Sequence, residues 1–408
     1  MKKEATLFLA ACALTNVVHA QTSVTLYGLF DEGLDFGTNV SRGTNAKTLR
    51  PLAGGNRYAL TSGAMQGSRW GLMGKEDLGS GLSAIFRLEN GFDGSTGKLA
   101  QGGAEFGRQA YVGVASRHIG TLTLGRQYET TGDYSALNFG QQLGGVYATR
   151  PGDLDNGSHS VRVNNAIKYT SVDYNGLSFT GLYSLGGIAG AAGRNQIYSM
   201  GATYKGSSFT TFVAFLRVSN PNNAFFGDNP SGAGVAGNNM IGASPVYGGY
   251  SSANAYEVLS TGAGYVFSSA WVNLIYSHTD FKGLGDTTNS GPNLLGYTGS
   301  ASFNSFEING TYQITPAIAI AAAYDYTSGA PVSSRVAGIH ASGATYNQIA
   351  GAVQYRLSKR TDVYLQSIYQ RASGNDSTGG PATAQVGTFT ASSNDRQFVT
   401  RIGLRHLF

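Results

Sequence analysis

The stretch Leu82-Ser83-Ala84-Ile85-Phe86-Arg87-Leu88-Glu89-Asn90-Gly91-Phe92 decides the fold. Leu82, Ala84, Phe86 and Leu88 share one face, while Ser83, Arg87 and Glu89 share the other, where Ile85 is the exception. Successive residues of a strand point to opposite sides, so this segment separates an apolar medium from a polar one. A tight turn, Asp77–Gly81, precedes it and a long polar stretch follows. The same alternation of short and long connections runs along the whole chain. A soluble sandwich would account for amphipathic strands, but not for short turns gathered at one end and eight long loops at the other. A closed barrel in a bilayer has that asymmetry.

Working outward gives sixteen predicted strands: 23–35, 67–76, 82–92, 106–116, 121–128, 162–172, 177–185, 197–205, 209–219, 255–267, 271–281, 303–313, 318–327, 346–357, 361–371 and 396–408. The turns carry Gly, Asn, Asp, Pro or Ser, the residues that tight reversals need. Long segments include 36–66, 129–161, 220–254 and 373–395. The expected fold is all-β, a 16-stranded antiparallel transmembrane barrel with both termini on the short-turn side. Closure leaves no unpaired edge.

Composition agrees. The 408 residues show no linker that would divide them into two domains, and only 12% are charged. Mean hydropathy is −0.13 and no apolar run after the start is long enough for a membrane helix. Fifty-nine Gly and 24 Tyr beside a single Cys suit a barrel wall with tyrosines at the lipid–water boundaries. Residues 1–20 read as a signal peptide: Lys2 and Lys3, an apolar stretch from Ala5 to Val18, then Val18-His19-Ala20 before a cut at Gln21. Leu9-Ala10-Ala11-Cys12 is a competing lipoprotein box, with too little sequence ahead of it. Removal of the leader takes two positive charges and one negative, so the formal net charge falls from +5 to +4. It also removes the one cysteine, leaving hydrogen-bonded closure rather than disulfides to stabilise domain 21–408.

Motifs that suggest catalysis do not hold. Gly79-Ser80-Gly81-Leu82-Ser83-Ala84 has the letters of a dinucleotide loop but sits between two strands with no helix behind it. Gly94-Ser95-Thr96-Gly97-Lys98 lacks the first glycine and the final hydroxyl of a P-loop. The six histidines show no metal-ligand spacing. No enzyme activity, cofactor, metal or nucleic acid is expected. The informative side chains are basic. Alternation turns Arg69, Arg87, Arg162, Lys168, Arg401 and Arg405 inward, together with the acidic Asp31, Glu89, Glu307 and Asp325. An unpaired charge on the lipid face costs several kcal/mol near the bilayer midplane.

Five segments, in order, carry a family resemblance: Ser23-Val24-Thr25-Leu26-Tyr27-Gly28 with Asp31; Ser68-Arg69-Trp70-Gly71-Leu72-Met73-Gly74-Lys75-Glu76-Asp77-Leu78-Gly79-Ser80-Gly81-Leu82; Gly107-Arg108-Gln109-Ala110-Tyr111-Val112-Gly113-Val114; Gly125-Arg126-Gln127-Tyr128; and Gly403-Leu404-Arg405-His406-Leu407-Phe408. The chain resembles the general trimeric porins of Gram-negative outer membranes, in particular their beta-proteobacterial branch. The resemblance implies a loop, 129–161, folded into the barrel, and a basic ladder of Arg69, Arg108 and Arg162 across the constriction. Among the acids of that loop, Asp153 and Asp155 are the expected opposing charges. It also implies an assembly signal ending on Phe408, recognised by the barrel assembly machinery, and a homotrimer in contact with lipid and lipopolysaccharide. The expected function is passive diffusion of ions and small hydrophilic solutes, with anion preference from the basic excess. A substrate-specific sugar channel would need a row of inward aromatics, whereas most Tyr and Phe have outward parity. A surface adhesin would use the long loops.

Overall fold

The computed structural model describes residues 23–226, 239–339 and 342–408. The expected signal peptide, with Cys12 and the cut at Gln21, lies outside the described residues. Sixteen antiparallel strands close into a barrel. They are β1 (Ser23–Ser41), β2 (Gly54–Ser62 continued by Arg69–Gly79), β3 (Leu82–Gly91), β4 (Gln109–Ser116), β5 (Gly120–Gln127), β6 (Val163–Thr170), β7 (Leu177–Ser184) and β8 (Ile197–Lys205). There follow β9 (Phe209–Ser219), β10 (Ala255–Phe267), β11 (Ala270–Leu284), β12 (Tyr297–Gln313), β13 (Ile318–Gly329), β14 (Ala344–Arg356), β15 (Thr361–Gly374) and β16 (Arg396–Leu407). Each pairs with its neighbours in sequence, and β16 returns to β1 in the register Leu29↔Leu407 through Gly37↔Val399. Gly28 and Phe408 exchange both backbone hydrogen bonds at 3.0 Å, which seals the lower end of that seam.

The wall is inverted relative to a soluble protein. Val24, Leu34, Val112, Ile308, Ile349 and Ile402 are exposed on the outer face, whereas Thr123, Asn273, Gln348, Gln366 and Gln397 are buried on the inner one. Tight turns gather at one rim. Ser80 (φ 51°) and Gly81 (φ 76°) both take the left-handed conformation of a two-residue hairpin, which explains the dinucleotide-like letters there.

One expectation about the wall needs correction. The loop predicted over 36–66 is shorter, because β1 runs on to Ser41 and pairs with Gly54–Ser62. Alternation in Arg57-Tyr58-Ala59-Leu60-Thr61 supports that upper segment. β2 is then interrupted, and residues 63–68 bulge inward. Asp31 holds the bulge: its Oδ2 accepts from Met65 N at 2.7 Å and Gln66 N at 2.9 Å, and its carbonyl accepts from Gly63 N at 2.7 Å. The outward glycines Gly28 and Gly74 seat rings of the same chain. A Cβ on either would collide with Phe408 or Phe86, respectively. The inner wall also carries some aromatics. Tyr256, Phe281, Tyr297, Phe303 and Tyr346 point inward at the long-loop end, where Phe225, Phe226, Tyr247 and Tyr250 of the segment after β9 cover them.

Candidate functional site

The loop between β5 and β6 crosses the interior. Glu129 opens it by capping the short helix Thr130–Asp133, its carboxylate accepting from Thr131 N and Gly132 N. Burial raises this carboxyl above the ordinary range, against the pull of its hydrogen bonds from Thr131 and Asn156. From there the loop bonds to inward groups around most of the wall. Lys168 Nζ donates to Asp133 at 2.5 Å and to Tyr128 O at 2.8 Å. Thr130 N donates to Ser199 Oγ at 3.0 Å, and Phe139 N to Glu307 at 2.8 Å. Gln348 and Gln366 donate to the carbonyls of Thr149 and Leu143 at 3.0 and 2.7 Å. Tyr147 Oη reaches Asp35 at 2.6 Å. Val146 N donates to Ala64 O at 2.8 Å, so the loop also rests on the bulge of β2.

Between loop, bulge and wall lies a cavity of about 800 Å³, bordered by Arg69, Arg87, Arg108 and Arg162 along with Glu89 and Tyr128. Arg108 Nε pairs with Glu89 at 2.7 Å, and Tyr27 Oη donates to the same carboxylate at 2.8 Å. Tyr128 Oη accepts from Arg108 Nη2 at 2.9 Å and from Arg162 Nη2 at 3.1 Å. Arg162 also donates to Ser160 O at 2.8 Å and lies over the Tyr128 ring, 5.0 Å from its centre. Arg87 stands over the Tyr27 ring at 5.6 Å. The Arg69 side chain makes no hydrogen bond or ion pair among the described residues. Room for the Arg108 guanidinium comes from glycine: a Cβ at Gly67 would stand 2.8 Å from its Nη1. His159 completes the rim, its ring 4.8 Å from that of Tyr128. Burial, reinforced by the nearby cations Arg162, Lys168 and Arg108, holds its pKa down at about 4.

The three ladder arginines predicted from sequence thus border one space. The other predicted residues divide. Arg87 borders the same cavity. Lys168 is engaged with Asp133. Arg401 is fully buried beneath the bulge, bonded to Asp35 at 2.7 Å, Tyr364 Oη at 2.7 Å and Thr61 O at 2.9 Å. Arg405 is held by Asp362 and Gln66, each at 2.9 Å. Asp153 and Asp155 do not border the cavity. Asp153 accepts from Ser158 N at 3.0 Å, Ser158 Oγ at 2.6 Å and Ser160 Oγ within its own loop. Burial, with Asp155 adding to it, raises its pKa. Asp155 joins Glu307 and Asp325 around Arg150, with N···O distances of 3.5, 3.2 and 3.4 Å. Burial alone would loosen the Arg150 proton, but Glu307, Asp155 and Asp325 outweigh it and raise the pKa. The carboxylate paired with the ladder is therefore Glu89, from the wall. Its inward parity was legible; its closeness to Arg108 was not. Arg150 gave no sequence signal, and Tyr128 stood in a family-like segment without its role being legible, because both roles depend on where the loop lands.

Arginines that border a water-accessible interior, in a barrel crossed by one of its own loops, define a transmembrane pore-forming barrel. The chain belongs to the Gram-negative porins, whose family model matches residues 5–377, and it is an outer-membrane protein. It is 38% identical over 186 residues to an outer membrane porin protein of Bordetella pertussis, a match covering 44% of this chain and 47% of that one. The chain thus spans about half the length of the curated relatives it matches. Its fold is similar to that of an anion-selective porin from Comamonas acidovorans, with TM-score 0.66 and 20% identity over 95% of this chain and all of the other. It is also similar to the trimer form of OmpT from Vibrio cholerae, with TM-score 0.58 and 14% identity over 95% of this chain and 99% of that one.

Proposed function

We propose that the protein is a passive diffusion channel for ions and small hydrophilic solutes, with a preference for anions, and that it performs no catalysis. The observation that carries this reading is the convergence of Arg69, Arg108 and Arg162, with Arg87, on one cavity that the carboxylates Glu89 and Asp93 also border, Glu89 being paired with Arg108. Charges set into a narrow low-dielectric passage focus the local potential, so this one favours negative solutes. The Comamonas relative is an anion-selective porin, which supports the same direction. Assembly as a homotrimer is part of the proposal, supported by the trimer form of a structural relative. So are removal of residues 1–20 on export, contact with lipopolysaccharide, and delivery to the barrel assembly machinery through the strand ending at Phe408.

Reversal potentials across a planar bilayer in a salt gradient test the reading. Wild-type protein is expected to favour chloride over potassium. Replacing Arg69 and Arg162 together by Gln should shift the permeability ratio toward cations by about twofold or more. Substituting Lys47 or Arg335 in the exposed loops should change little, because screening limits a charge's reach to about 8 Å at physiological salt. A double variant with the wild-type ratio would return both arginines to the role of solvated wall residues.

A further inference from the structure

A phenolic oxygen has two acceptor positions and one proton to donate. At Tyr128 both acceptor positions face guanidiniums, Arg108 from the strand wall and Arg162 from the end of the crossing loop. These two cations are drawn to one oxygen although they repel each other. Each has a separate tether on its far side, Glu89 for Arg108 and the Ser160 carbonyl for Arg162. Tyr128 is itself fixed at its carbonyl by Lys168 and through its ring by Arg162 and His159. Among the described residues no acceptor takes the phenolic proton, so the O–H is available to the cavity that Tyr128 borders.

We propose that Tyr128 is a specificity-determining positioning residue, whose hydroxyl oxygen joins Arg108 and Arg162 into one rigid anion-binding edge of the cavity. The inference rests on the diffusion-channel reading above and adds a residue to it. The shared oxygen sets the spacing of the two guanidiniums, and its proton supplies a neutral donor beside them for a passing carboxylate, phosphate or halide. Without the oxygen the guanidiniums separate under mutual repulsion, which widens the passage and blurs the positive edge. A second consequence follows from the same contacts. Burial raises the phenol's pKa, but Arg162 and Arg108 outweigh it and bring it below that of an ordinary tyrosine. The charged or titratable groups facing it are Arg69, Arg108, Arg162, Lys168 with its partner Asp133, Glu89 and His159. At alkaline pH a phenolate here cancels one positive charge of the edge.

The test uses full-length protein in planar bilayers and compares wild type, Tyr128→Phe and Tyr134→Phe. Tyr128→Phe keeps the ring and its stacking on Arg162 and removes only the oxygen. Tyr134 lies in the same loop, away from the cavity, with its hydroxyl on Thr180 at 3.0 Å. Tyr128→Phe should raise single-channel conductance and lower the chloride-to-potassium ratio by roughly twofold, while Tyr134→Phe leaves both unchanged. Between neutral pH and about pH 10 the wild-type ratio should fall, and the Tyr128→Phe ratio should stay flat over that window. A merely structural tyrosine would not produce the difference in pH profile. Identical conductance, ratio and pH profile in wild type and Tyr128→Phe would overturn the proposal. Wild-type protein without anion preference would instead overturn the underlying channel reading, so the two failures are separable. If Tyr128→Phe does not assemble, Arg162→Lys keeps the charge without the fork to Tyr128 and Ser160, and the same loss of ratio is expected of it.

Discussion

On one side of the crossing loop Arg69, Arg87, Arg108 and Arg162 border an open cavity, with Glu89 and Asp93 as the carboxylates on the same border. On the other side Arg150 is closed in by Asp155, Glu307 and Asp325. Beyond it, toward the long-loop rim, Tyr256, Phe281, Tyr297 and Tyr346 pack in a dry aromatic cluster. Both regions lie within the same barrel and their wall residues have the same inward parity. The difference lies in what covers them. Where a loop lies against the wall, inward charges become fastenings and inward rings become core. Where the loop stands away, the same residue types border open space. Inward parity therefore does not distinguish a pore residue from a structural one.

The most severe way to break this contrast is to remove the fastening. Arg150→Met leaves three carboxylates buried without a counter-charge, and loss of one partner from such a set costs about 3–5 kcal/mol. The crossing loop should come away from β12 and β13. Thermal unfolding in detergent should shift down, and single-channel conductance should rise. An unchanged melting temperature with unchanged conductance would mean that the loop is held elsewhere.

A truncation in the dry region should be nearly as costly but electrically silent. Phe281 is fully buried, with its ring 5.1 Å from Tyr256 and 5.6 Å from Tyr250. Phe281→Ala should lower stability by about 3–5 kcal/mol, measured by denaturant unfolding, while the salt-gradient reversal potential stays at the wild-type value. A shifted potential would place Phe281 on the solute path.

The smallest effect concerns pH. His159 has a folded pKa of about 4, held down by burial and its cationic neighbours, below the ordinary value near 6.5. The unfolded chain therefore takes up the proton first as pH falls. The stability that neutral His159 contributes is complete above about 6.5 and is lost progressively down to about 4. His159→Gln should flatten that part of the stability profile. Melting temperatures of the two proteins between pH 7 and pH 4 provide the check.

Much of the fold was legible because a membrane barrel imposes local rules. Strand alternation in Leu82–Phe92, tight turns at Ser80–Gly81 and sixteen amphipathic segments each follow from short-range chemistry. Inward placement of Arg69, Arg162 and Glu89 follows from the cost of charge in hydrocarbon. The interruption of β2 was not legible, because residues 63–68 leave the wall only where Asp31 is there to bind their amides. Nor could sequence assign Asp153 and Asp155, whose carboxylates were expected to oppose the ladder arginines; Asp153 instead satisfies donors of its own loop and Asp155 pairs with Arg150. Parity fixes the side of a sheet on which a residue stands, since it depends on neighbours along one strand. Whether that residue meets water, a loop or another charge depends on a chain segment distant in sequence, and only tertiary packing decides it.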